Sequence, residues 1–133
     1  MVQMRSPVSL LANGKRVNWN QVTHVRAQKS IDGDGYELKI YWRYKAAIRE
    51  EIFKHMASND GQLNEYFKGF GFAPLNQGLF INLQKIMMVD EEQKYGPVEK
   101  TRIHIIFSDG MQIKETLESV QWSWFKKSFF PAN

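Results

Sequence analysis

The sequence predicts an α+β fold, mainly antiparallel β, in which two tandem β-β-β-β-α repeats are related by a pseudo-twofold. Three observations predict it. One motif is written twice at a nearly fixed offset. Stretches of period-two alternation follow each copy of that motif. Each copy then ends in a switch to helical period.

The repeated motif is Phe80-Ile81-Asn82-Leu83-Gln84-Lys85-Ile86-Met87-Met88-Val89, with an earlier version from Arg16 to Val25. Asn82 answers Asn18, Gly78 answers Gly14, Leu75 answers Leu11 and Val89 answers Val25, all at an offset of 64. Leu38, Ile40 and Trp42 fall on Ile103, Ile105 and Phe107 at an offset of 65, as Ile48-Arg49-Glu50 falls on Ile113-Lys114-Glu115. Phe67-Lys68 meets Phe125-Lys126 at 58, because the first copy is longer before its aromatic end. Self-similarity of this length marks a unit that cannot bury its apolar face alone. The expected organisation is therefore one domain over 1–133, made of repeats at about 10–72 and 74–130.

Taken in order, residues 1–9 carry no periodicity and read as a lead-in. Asn13-Gly14 after Leu10-Leu11 is a hairpin signal, since both residues tolerate positive φ, and Gln77-Gly78 plays that part in the second copy. Val17 and Trp19, then Ile81 and Leu83, alternate with polar residues, but Val22/Val25 and Ile86/Val89 follow at a spacing of three. That slip of parity predicts a bulge or bend, with Asn18 and Asn82 turning the backbone through side-chain hydrogen bonds. Ser30 to Gly35 and Tyr95-Gly96-Pro97 read as the next turns. Leu38, Ile40, Trp42 and Tyr44 then share an inward face, as do Ile103, Ile105 and Phe107. Ser108-Asp109-Gly110 closes a hairpin, and Arg43 to Lys45 turns less distinctly into Ala46 to Ile52. Leu63, Tyr66, Phe67 and Phe70 form a helical stripe with Ser58, Asn59 or Asp60 as N-cap and Gly71 closing it. A second helix runs from about Glu118 to Ser128, with Trp122, Phe125 and Phe129 on one line and Leu117, Val120 and Trp124 on the next. Pro131 ends it.

The shared core is expected to hold Trp19, Leu38, Ile40, Trp42, Phe67, Leu83, Ile103, Ile105, Phe107 and Phe125. Of the 133 residues 43% are hydrophobic, enough to bury such a core. With no cysteine, disulfides, thiolate metal sites and cysteine nucleophiles are excluded. The start, Met1 to Pro7, lacks a signal peptide's apolar stretch, and no apolar run approaches a membrane span, so the expected compartment is the cytoplasm. A net charge of +4 and a pI near 9.3 lean toward an anionic partner.

Chemistry is sparse. His24, His55 and His104 show no metal-ligand spacing. Asp32-Gly33-Asp34-Gly35 is superficially similar to the opening of a calcium loop, but its closing ligands are missing and it reads as a turn. Asp90-Glu91-Glu92 reads as a solvated loop between strands. No phosphate-binding glycine loop and no nucleophile with its base is present, so no catalytic residue, metal ligand or cofactor is assigned and the chain is not expected to be an enzyme. What remains is the outward face Lys39, Tyr41, Arg43 and Lys45, spaced about 6.5 to 7 Å apart along a strand, close to the spacing of phosphates, with Tyr41 offering a ring to a base. Lys15, Arg16, Arg102 and His104 extend that surface. The competing reading is a solvated strand whose lysines discourage edge pairing.

Laid out this way, the chain resembles the LytTR-type DNA-binding domain of bacterial response regulators. Phe80 to Ile86 is similar to that family's second-half signature of an apolar pair, Asn, an apolar residue, two polar residues and Ile. Arg16 to Val25 resembles its first strand pair, Glu37 to Ile52 the hairpin that follows, Leu63 to Phe70 its helix and Arg102 to Thr116 its last hairpin, which together cover about 14–127. The family's His-Arg-Ser-like triplet, which helps contact DNA, is replaced here by Pro74-Leu75-Asn76-Gln77-Gly78-Leu79, so no contact residue transfers there. Lys126 and Lys127 are the nearest match to the basic residues at the family's C-terminal end. The resemblance implies a DNA-binding regulatory protein of bacterial type, with duplex DNA favoured as partner. The architecture is also similar to that of the Whirly and PUR single-stranded nucleic-acid binders. The alternatives are therefore a single-strand binder and a protein-binding adaptor without nucleic acid. The aromatic C-terminal helix further predicts a homodimer.

Overall fold

The computed structural model describes residues 6–95 and 99–130. The readings placed on residues 1–5, on Gly96-Pro97 and on Pro131 lie outside them. Its strands are β1 (Val8–Leu10), β2 (Arg16–Asn18), β3 (His24–Lys29), β4 (Tyr36–Tyr44), β5 (Ala47–His55), β6 (Phe72–Asn76), β7 (Leu79–Asn82), β8 (Ile86–Tyr95), β9 (Lys100–Phe107) and β10 (Gln112–Glu118). The helices are α1 (Asp60–Lys68) and α2 (Ser119–Phe129), and 3-10 turns occupy Trp19–Gln21 and Leu83–Lys85. The architecture is mainly antiparallel β with two helices, as the α+β expectation has it. No helix among the described residues is long and apolar enough to cross a membrane.

The chain divides into two compact units, 1–85 and 86–133. In the first, β1 and β2 form a two-stranded hairpin and five antiparallel strands lie in the order β5-β4-β3-β7-β6. The first strands of the second expected copy, β6 and β7, belong to the first unit because β7 pairs with β3, His24 opposite Ile81 and Val25 opposite Phe80. Gly78 permits that approach. Its carbonyl accepts the Ala27 N–H at 2.7 Å, its φ is +73°, and a Cβ there would collide with the Ala27 carbonyl oxygen.

The slips of parity are 3-10 turns, one in each half. Asn18 Oδ1 accepts from Asn20 N at 3.0 Å and Asn82 Oδ1 from Gln84 N at 3.1 Å, the local turning that the repeated asparagines predict. Each half consequently carries five strands rather than four, the 3-10 turn interrupting what reads as one strand pair. Trp19, fully buried, is the centre of the first core: its ring meets Phe53, Tyr66, Phe67, Phe70 and Phe72, and its indole N–H donates to Ser9 Oγ at 2.9 Å. The helical stripe accounts for three of these partners. Asn59 caps α1 by accepting from Gln62 N at 2.9 Å, and Leu63 and Phe67 are buried. Leu38 and Ile40 face this core as expected, whereas Trp42 is half-buried and Tyr44 is exposed, because β3 stops beside Tyr41 and leaves the end of β4 without that neighbour. Leu83, expected in the core, is half-buried on its 3-10 turn.

In the second unit β8, β9 and β10 form a three-stranded sheet in the order β10-β9-β8. Ile103, Ile105 and Phe107 are buried and alternate with half-buried Arg102, His104 and Ile106, the period-two pattern realised. Asp90-Glu91-Glu92 is not a loop: it lies within β8, and the carboxylates of Glu91 and Glu92 hold cations of the same unit. Trp122 and Phe125 of α2 are buried, while Val120 and Trp124 are 79% and 56% exposed.

Candidate nucleic-acid interface

The outward face of β4 is built by cross-strand register. Lys39 sits between Arg26 of β3 and Ile52 of β5, Tyr41 between His24 and Glu50, and Arg43 beside Ile48. β4 is the second strand of its sheet, with β5 outside it, so its lysines do not guard an edge. Pairing of β3 with β4 ends at His24 and Tyr41, whereas β4 and β5 stay paired to Tyr44 and Ala47. Residues 42–49 therefore extend past β3 as a two-stranded ribbon. From Lys39 to Arg49 the sequence carries Lys39, Arg43, Lys45 and Arg49 and no carboxylate. Lys45 takes the turn with a φ of +55°, its ammonium lies 5.5 Å from the Tyr44 ring centroid, and its carbonyl accepts from Arg43 Nε at 3.4 Å.

Tyr41 is half-buried, and its ring stacks on His24 with centroids 4.5 Å apart and planes 4° from parallel. His24 is itself buried and bonded through Nδ1 to Thr23 Oγ1 at 2.8 Å. One face of the Tyr41 ring is thus already occupied. The strand pattern alone does not reveal this, because the partner comes from register with β3.

The other cations divide by whether a carboxylate holds them. Lys15 Nζ lies 2.7 Å from Glu51 Oε1, which also accepts from Asn13 Nδ2 at 3.1 Å. In the second unit Arg102 Nε is 3.5 Å from Glu92 Oε2 and Lys114 Nζ is 3.7 Å from Glu92 Oε1. Lys126 Nζ is 2.7 Å from Glu91 Oε1, and His104 Nε2 is 2.9 Å from Gln112 Oε1. Lys39, Lys45, Arg16, Arg49 and Lys127 make no ion pair among the described residues. Arg49 is the cation that sequence reading passed over as a repeat match. The register of the hairpin, Trp42 opposite Arg49, is the signal that places it on the ribbon.

Three titrating groups away from this face are shifted: Asp32, His55, and Tyr36, whose hydroxyl pKa is raised chiefly by its hydrogen bond to Asp60 Oδ1. The Lys54 ammonium, 2.7 Å from Asp32 Oδ2, leads in holding that carboxyl below its ordinary value, aided by the backbone N–H of Asp34. This is the turn that the spacing Asp32-Gly33-Asp34-Gly35 predicts, closed by Asp32 Oδ1 accepting from Asp34 N at 3.0 Å. Burial lowers His55, whose Nδ1 accepts from Ala57 N at 3.1 Å. Among the described residues no three His, Asp or Glu side chains gather as a metal ion would need. No family model, curated protein or solved structure matches the chain.

Proposed function

We propose that the chain is a non-enzymatic nucleic-acid-binding regulatory protein of the bacterial cytoplasm, LytTR-like, that grips duplex DNA through the β4–β5 ribbon. The observation that carries this reading is the set Arg43, Lys45 and Arg49 on a ribbon, residues 42–49, that extends past β3 with no carboxylate in it; Lys39 and Glu50 lie further back, where β3 still pairs with β4. A two-stranded ribbon is narrow enough for a major groove about 12 Å wide, and Lys45 and Arg49, which make no ion pair among the described residues, can release counterions from phosphates at no cost in broken ion pairs. Arg16, in the same unit, extends the contact set, and Lys127 is a separate candidate contact of the second unit. Lys15, Arg102 and Lys126 would first have to leave their carboxylates. The stacking of Tyr41 on His24 favours backbone contact to duplex over base stacking to a single strand.

Two further parts of the reading have support of their own. The order strand, strand, 3-10 turn, three strands, helix occurs twice, with an asparagine turning the chain at the same place each time. This supports two repeats, at about 10–72 and 74–130, related by a pseudo-twofold. The exposure of Val120 and Trp124 supports self-association of α2 into a homodimer, which light scattering at high concentration tests.

Titration of labelled duplex and single-stranded oligonucleotides at two salt concentrations tests the function. The expected result is preference for duplex with affinity falling steeply in salt. Preference for single strands moves the reading to the tandem-repeat single-strand binders, and binding to neither moves it to an adaptor.

A further inference from the structure

The first unit holds a cavity of about 360 Å³ beside the base of the ribbon, within the 300 to 1,000 Å³ range of small-ligand sites. Its lining includes Leu11, Val22 and Ile40, all buried and apolar, and the half-buried indole of Trp42. The remaining polar lining is dominated by donors. Trp19 and Trp122 each spend their indole N–H on a side-chain oxygen and their rings on aromatic neighbours. The Trp42 indole has neither a hydrogen bond nor a ring contact among the described residues, Arg16 has no ion pair there, and the Gln21 side-chain amide has no partner there. Glu51 also lines the cavity, but Lys15 and Asn13 already hold its Oε1. The cavity therefore offers one uncompensated positive charge, further donors, an unstacked ring and an apolar lining.

We infer that this cavity is a binding site for a small organic monoanion, a flat apolar body bearing one carboxylate. The carboxylate accepts from the Arg16 guanidinium and the Gln21 amide, and the apolar body lies against Trp42 and the aliphatic lining. A guanidinium matches a carboxylate with paired N–H donors. The site shares Arg16 with the proposed nucleic-acid contacts but takes nothing from Lys39, Tyr41, Arg43 or Lys45 on the outward face of β4.

The test titrates naphthalene-2-carboxylate into the full chain by calorimetry and by tryptophan fluorescence, beside the neutral 2-naphthylmethanol and the cationic 2-naphthylmethylammonium. The carboxylate is expected to bind in preference to both. Arg16→Gln, at an exposed position, should weaken the carboxylate about tenfold to a hundredfold and leave the neutral probe unchanged, the scale of one charge-assisted hydrogen bond. Trp42→Phe should remove the fluorescence response while keeping binding within a few fold. Failure of the carboxylate to bind at millimolar concentration, equal binding of the charged and neutral probes, or an Arg16→Gln variant as tight as the parent overturns the proposal. Tighter capture of a peptide ending in a free C-terminal phenylalanine would also overturn it, in favour of a peptide site.

Discussion

The side-chain amide of Asn82 donates to the carbonyl oxygen of Trp19 at 3.1 Å, and the same nitrogen reaches the Val22 carbonyl at 2.9 Å. Asn82 is 1% exposed, and its oxygen meanwhile accepts from Gln84 N. Asn18, its counterpart in sequence, is exposed and only turns its own chain. One motif position thus does two different jobs: in the first half it is a local cap, and in the second it also ties β7 to the 3-10 turn beneath Trp19.

Truncating the two asparagines should therefore cost unequal amounts. Asn82→Ala takes their side-chain partner from the buried Val22 carbonyl and the Gln84 amide, while the Trp19 carbonyl keeps the Val22 N–H, and is expected to cost about 2 to 3 kcal/mol, whereas Asn18→Ala loses one exposed cap worth about 0.5 to 1 kcal/mol. Urea unfolding of both variants measures the difference. Equal losses would show that the link to Trp19 and Val22 contributes nothing.

Much of this fold is legible in the sequence because period and turn chemistry are local. The alternation of Leu38 and Ile40, the stripe of Leu63 and Phe67, the hairpin at Ser108-Asp109-Gly110 and the turning role of Asn18 and Asn82 all need only neighbouring residues. What escapes is whatever depends on register between distant strands. The pairing of β7 with β3 carries β6 and β7 into the first unit, and it cannot be read from either segment alone. The same is true at the candidate site. Lys39 and Arg43 are found by strand parity, but the stacking of His24 on Tyr41 and the capture of Lys126 by Glu91 come from elements far apart in sequence.

That stacking changes what loss of Tyr41 should do. An exposed tyrosine would cost about 0.5 kcal/mol or less on truncation, but Tyr41→Ala uncovers a buried imidazole and should cost about 1 to 2 kcal/mol. Tyr41→Phe preserves the stack and should be near neutral. Thermal unfolding separates the two, and a Tyr41→Ala protein as stable as the parent would mean the stack is incidental.

The ribbon cations should be read by salt. Arg43→Gln with Lys45→Asn removes two charges while asparagine still tolerates the positive φ at position 45. The slope of log affinity against log salt on duplex DNA should flatten by about two units. Arg102→Gln, which removes a cation already held by Glu92, should change that slope by much less. An unchanged slope in the double variant would remove the ribbon from the interface.

His55 makes stability depend on pH in a definite direction. Its folded pKa lies below the ordinary 6.5 because burial disfavours the charged ring, and its Nδ1 is needed as an acceptor for Ala57 N. The unfolded chain therefore binds more protons than the folded one as pH falls through the ordinary value, so the contribution of His55 is fully present above it and is lost toward acid. Unfolding free energies measured between pH 5 and 8 should rise with pH, and His55→Gln, which keeps an acceptor but does not titrate, should flatten that rise.

Glu91 joins stability to binding. Its Oε1 accepts from Trp122 Nε1 and from Lys126 Nζ, both at 2.7 Å, and Lys126 in turn sits 5.5 Å from the Trp122 ring centroid. One carboxylate on β8 thus anchors two successive turns of α2. Because Lys126 and Glu91 are both close to half exposed, the ion pair itself is screened, and most of the loss should come from the indole hydrogen bond. Glu91→Gln keeps an acceptor for Trp122 and should cost under about 1 kcal/mol, whereas Glu91→Ala should cost about 1 to 2 kcal/mol. Both variants release the Lys126 ammonium. If the C-terminal end of α2 meets DNA, as we propose for Lys127, Glu91→Gln should steepen the salt dependence of duplex binding by up to about one unit while barely altering the fold. A slope that stays constant when Lys126 is freed would confine the interface to the first unit.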